Sequence, residues 1–134
     1  MNVIFYANQS SAQRERLQRV IEILVPRERI ESYLTIEYLE KRLHQPISEP
    51  MVFVLQVSRM QELLQLLQLR DCLIDRKLIL ILPDEDRETI SRGHALRPRF
   101  ITYIESDFID VSVVLGKMLT PTLPRDSEAD YLDN

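Results

Sequence analysis

The chain has 134 residues, 45% of them hydrophobic and 28% charged, the size and composition of one globular domain that buries its own core. Its 17 Lys and Arg against 21 Asp and Glu give a formal net charge of -4, so no nucleic-acid partner is expected. One cysteine and two histidines exclude an internal disulfide and a Cys-built zinc or iron–sulfur centre, and leave little for imidazole chemistry.

Residues 3–7 are apolar throughout, as in a strand covered on both faces. A turn follows, and Ser10 or Ser11 can cap a helix on which Leu17, Val20, Ile21 and Leu24 are helically spaced. Pro26 bounds that helix. Residues 29–33 make a short second strand. Thr35 can cap a second helix, with Tyr38, Leu39 and Leu43 spaced for burial. Residues 44–50 hold two prolines and read as a loop, and residues 51–57 are the third strand. Residues 59–75 contain a leucine-rich helix. Residues 77–82 are the fourth strand, stopped by Pro83, and a polar segment over 84–94 ends near Gly93. Residues 100–104 are the fifth strand. A last helix spans 107–119, with Asp107 or Asp110 at its positive end and Pro121 and Pro124 beyond it. Residues 1–122 form one domain, followed by a short acidic tail over 123–134.

Strands alternate with helices, and the two central strands are wholly apolar. That pattern requires an α/β three-layer sandwich, a five-stranded parallel sheet with helices on both faces. The start of the chain shows no secretory signal, and no apolar run approaches the roughly 20 residues of a membrane helix. A cytoplasmic protein without a membrane contact is expected, and the lone thiol fits a reducing compartment.

Ligands of such sheets bind beyond the carboxyl ends of the strands. Those ends carry Asn8 and Gln9, then Gln56, Val57 and Ser58, then Pro83 with Asp84, Glu85 and Asp86, and finally Glu105, Ser106 and Asp107. Over residues 2–119 this layout resembles the receiver domain of bacterial two-component response regulators. The resemblance implies a sheet in the order 2-1-3-4-5. It also implies acids after the first strand that hold a divalent cation, where this chain has Asn8 and Gln9. The phosphate-accepting aspartate falls on Gln56, or on Ser58 with a slip of two residues. The family's Ser/Thr falls at Leu82-Pro83, its lysine on Ser106 and the following proline on Asp107. Only an aromatic residue, Phe108, is kept.

An amide lacks the anionic nucleophile of a carboxylate. A hard cation loses its oxygen ligands here. Ser106 brings no positive charge. The expectation is a degenerate receiver without catalysis, metal or cofactor, working through a protein partner or as a dimer. The family's usual docking face then falls on Ile90, Tyr103, Val113 and Lys117. Met60, Leu63, Leu64 and Leu67 form the sheet-facing stripe of the leucine-rich helix, leaving Leu66 and Leu69 as further interface candidates.

Two alternatives stand beside this reading. One is a small-ligand or cation-binding domain using the crevice near Asn8, Gln56 and Asp84. The other is a small enzyme built from Cys72, His94 and the acids at 84–86. The plainer reading makes those acids a helix start, Cys72 a buried apolar group, and His44 and His94 helix ends. Gly93 and Gly116 are the only glycines, too few for a phosphate-binding loop. Arg14, Arg16 and Arg19 read as a solvated face interrupted by Glu15 and Glu22.

Overall fold

The computed structural model describes residues 1–8 and 11–120. Gln9, Ser10 and the acidic tail lie outside the described residues. The strands are β1 (Asn2–Ala7), β2 (Ile30–Tyr33), β3 (Met51–Gln56), β4 (Lys77–Leu82) and β5 (Phe100–Tyr103). All neighbours pair in parallel, in the order β2-β1-β3-β4-β5. The helices are α1 (Arg14–Leu24), α2 (Ile36–Leu43), α3 (Met60–Leu67), α4 (Arg70–Leu73), α5 (Arg87–His94) and α6 (Ile109–Leu119).

The apolar runs of β1, β3 and β4 are explained by their position. Each has a strand on either side and a helical layer above and below, so both side-chain faces are buried. Alternation along the strands splits the core in two. Ile4, Tyr6, Phe53, Leu55 and Val57 face α2, α3, α4 and α5. Val3, Phe5, Val52, Val54, Ile79 and Ile81 face α1 and α6 through Leu17, Ile21, Val111 and Leu115. The edge strands β2 and β5 are short and only partly buried.

Three sequence expectations change. The leucine-rich segment is two helices. Its amides at Gln68 and Leu69 reach back three residues, to Gln65 and Leu66, and this tighter winding re-phases the segment. Leu63 and Leu66 share the buried face of α3, the tighter winding keeps Leu69 and Leu73 in the core beyond it, and Leu66 and Leu69 are not surface residues. Leu64 is the exposed one. On α2 the buried face is Ile36, Leu39 and Leu43, and Tyr38 is 61% exposed. Likewise Val25 replaces Leu24 in the core at the end of α1. Gly93 lies within α5, pressed on β4, where an added Cβ would stand 3.1 Å from a Leu82 methyl carbon.

Thr35 caps α2 as its sequence predicts, accepting a hydrogen bond from the Tyr38 amide at 3.2 Å. The edge strand β2 is clamped to α2 by Arg42, whose Nε donates to Glu31 Oε1 at 2.7 Å. The Tyr33 hydroxyl donates to the same oxygen at 2.9 Å. Burial, followed by this bond to Glu31, pushes the Tyr33 phenol up to about 12. For Glu31 burial works upward, but the bonds from Arg42 and Tyr33 and the Arg42 charge outweigh it and hold the carboxyl below its usual value. The stabilisation is then complete above the unfolded carboxyl pKa and is lost as pH falls through the lower folded value. Arg42→Ala is expected to cost about 1 kcal/mol near neutral pH. Urea titrations of both proteins across the acid range should show that gap closing as Glu31 protonates.

Candidate functional site

At the carboxyl edge, Gln56 ends β3 between Ala7 of β1 and Ile81 of β4. It is fully buried. By strand alternation its side chain lies on the face shared by Val52 and Val54, beneath the start of α1. Its Oε1 accepts a hydrogen bond from Ser11 Oγ at 2.8 Å, and its Nε2 has no hydrogen-bond partner among the described residues. Ser11 is thus a tether between the β1–α1 turn and β3. It does not cap α1, whose first turn is preceded by Gln13 without a side-chain cap. Instead the Ser11 hydroxyl accepts from the Gln13 amide at 3.3 Å, and the Ser11 amide donates to Asn8 O at 3.0 Å.

Two arginines extend this tether. Arg14 Nη1 donates to the carbonyls of Ala7 and, at 3.3 Å, of Tyr33, the ends of β1 and β2. Its guanidinium stands 4.8 Å from the Phe5 ring centroid. Arg16 donates to Ser106 O at 2.8 Å and stands 4.9 Å from the Phe108 ring centroid. Arg14 is half-buried and structural, so the solvated basic face predicted from the sequence is reduced to Arg16 and Arg19.

Ser106 has both polar groups engaged in the β5–α6 loop. Its hydroxyl accepts from the Phe108 amide at 2.9 Å and donates to Asp110 Oδ1 at 3.3 Å. Asp110 Oδ2 accepts from Thr102 Oγ1 at 2.9 Å, which ties β5 to α6. Phe108 is fully buried at φ 66, a left-handed backbone that is strained for a bulky residue. Burial of the ring and the Arg16 contact offset that strain.

The other sequence candidates are dispersed. Pro83 is half-buried. Asp84, Glu85 and Asp86 are exposed, and Asp84 Oδ1 accepts from the Asp86 amide at 3.0 Å. This is the plain turn-and-helix-start role. Cys72 is half-buried against the leucine core, and His44 and His94 are exposed at helix ends. Among the described residues, no group of three or more His, Cys, Asp and Glu side chains is placed to hold a metal ion. No helix among them is long and apolar enough to cross a membrane. Of the interface candidates, Val113 is 52% exposed and Lys117 is exposed, whereas Ile90 and Tyr103 are half-buried against the core.

The opposite face of the same edge holds a feature the sequence reading missed. A pocket of about 180 Å³ opens between the end of β1 and the starts of α2 and α3, bounded by Tyr6, Asn8, Glu37, Arg59, Glu62 and Gln65. The Glu62 side chain is 5% exposed. Its Oε1 accepts from the Ser58 amide at 3.1 Å, as an acid in a first helical turn can. Its Oε2 has no hydrogen-bond donor among the described residues, and neither does the buried Ser58 hydroxyl find a partner. Burial, then the nearby Glu62 charge, push the Tyr6 phenol above its ordinary value, so Tyr6 remains protonated and neutral. Assigning Leu66 to the core would have exposed Glu62, one turn earlier on the same helical face.

Comparison with known proteins gives no match: no family model, no curated protein and no solved structure shows significant similarity to this chain.

Removing the tether leaves both polar groups of Gln56 unpaired. Ser11→Ala is expected to cost about 1–3 kcal/mol, and Arg14→Ala a comparable amount. Chemical denaturation checks both, against a surface control such as Arg19→Ala, expected within about 0.5 kcal/mol of the parent.

Proposed function

We propose that this protein is a noncatalytic, receiver-like signalling module that acts through contacts with a protein partner or a second copy. The observation that carries the reading is the buried Gln56, hydrogen-bonded by Ser11 at the strand end where the resemblance places the phosphate acceptor. An amide carries no anionic oxygen to attack a phosphoryl group. Its surroundings agree, because the groups that would serve phosphotransfer are committed elsewhere. Ser106 is bound within its own loop, and the nearby cations Arg14 and Arg16 are spent on backbone carbonyls. The reading places the protein in the cytoplasm, in the company of two-component signalling components.

Its contact surface, on this reading, includes the outer side of α6. Ile109 is 64% exposed and Val113 52%, while Val111 and Leu115 hold the helix to the sheet. The two layers of residues have separate tasks, so the outer side is free to vary with the partner.

Incubation with acetyl phosphate and Mg²⁺, followed by intact-mass analysis at neutral pH, is expected to show no phosphoryl adduct. A phosphoryl adduct mapped to the end of β3 would overturn the proposal. Val113→Glu is expected to weaken association with the partner or second copy while changing stability by no more than about 0.5 kcal/mol. Sedimentation of the parent and variant, alone and with a candidate partner, reads the first effect; urea denaturation reads the second.

A further inference from the structure

We propose that the pocket at Glu62 is a binding site for a small organic cation, an ammonium or guanidinium group presenting N–H donors. This goes beyond the signalling reading and is independent of it, because the pocket and Gln56 lie on opposite faces of the sheet. Helix geometry accounts for one oxygen of Glu62, which receives the Ser58 amide. Among the described residues the other oxygen has no hydrogen-bond donor, although the side chain is only 5% exposed and lines the pocket. A buried carboxylate oxygen in that state is an acceptor awaiting a donor. Arg59 does not fill the role. Its Nε stands 3.8 Å from Oε2, beyond hydrogen-bonding distance, and its side chain is 67% exposed to solvent.

The sign of the ligand follows from the walls. Glu37 and Glu62 outnumber Arg59, and the Tyr6 phenol stays neutral. An anion would meet two carboxylates. A neutral donor would forgo the charge-assisted part of the bond. The polar side chain of Gln65 offers a further acceptor for a forked cation. The space, about 180 Å³, admits a head group and a short stem. Such a group can arrive as a free amine or as the basic side chain of a protein.

The probes are therefore methylguanidinium, n-butylammonium and a doubly capped arginine, with methylurea as the neutral isostere. Each is titrated into the ¹⁵N-labelled full chain. The expected result is saturable shifts of the amides of Asn8, Glu37 and Gln65 with at least one cationic probe and none with methylurea. Binding of the capped arginine alone assigns the site to a protein side chain, and binding of the free amines assigns it to a small molecule. Glu62→Gln keeps the acceptor for Ser58 and should weaken binding about tenfold or more. Glu37→Gln, at the exposed rim, should weaken it about twofold to threefold and leaves the fold intact. The proposal is overturned if no cationic probe shifts these amides, if methylurea binds as well as methylguanidinium, or if folded Glu62→Gln binds as tightly as the parent.

Discussion

The carboxyl edge of a parallel sheet exposes strand-end carbonyls and side chains that need partners, and here the β1–α1 turn and the first turn of α1 supply them. Ser11 holds Gln56, Arg14 holds the ends of β1 and β2, and Arg16 holds the β5–α6 loop. Three of the five strands are thereby joined to one short segment through direct contacts, with the loop after β5 held by Arg16 and β4 joined through its pairing with β3. The consequence is energetic as well as geometric. Buried polar groups without partners are costly, so a strand end that is satisfied by its neighbours resists rearrangement.

The same constraint explains why an amide can stand at residue 56. A lone carboxylate at a position of zero exposure would need a cation or several donors to offset its desolvation. A neutral amide tolerates that burial with one good hydrogen bond. Glu62 is the contrasting case. It is a nearly buried carboxylate that, like the Gln56 amide, has one polar atom without a hydrogen-bond partner among the described residues, and its charge is what sets its pocket apart from the braced edge.

The architecture was legible because β1, β3 and β4 are buried on both faces and so read as unbroken apolar runs. Thr35 was legible because a cap is local chemistry. The misreadings have a common origin in helical phase. The buried face of α3 runs through Leu63 and Leu66 instead of Leu64, a tightened turn at Gln68–Leu69 keeps Leu69 on it, and on α2 Ile36 takes the place of Tyr38 on the buried face. Neither follows from spacing alone, since Leu64 and Leu66 are equally apolar. Gln56 was identified from its place at a strand end. Its partner Ser11 reads locally as a helix cap, but the turn before α1 is two residues longer than a simple cap requires. The arginine braces depend on long side chains reaching carbonyls far away in sequence, which no local pattern encodes.

A fixed edge and a switching edge differ in their dynamics. Relaxation-dispersion NMR on the full chain reads microsecond-to-millisecond exchange residue by residue. The account predicts flat profiles and one set of resonances for Gln56, Val57, Thr102 and Ser106, with and without acetyl phosphate and Mg²⁺. Correlated exchange across those residues, or a second set of resonances under phosphorylating conditions, would contradict it.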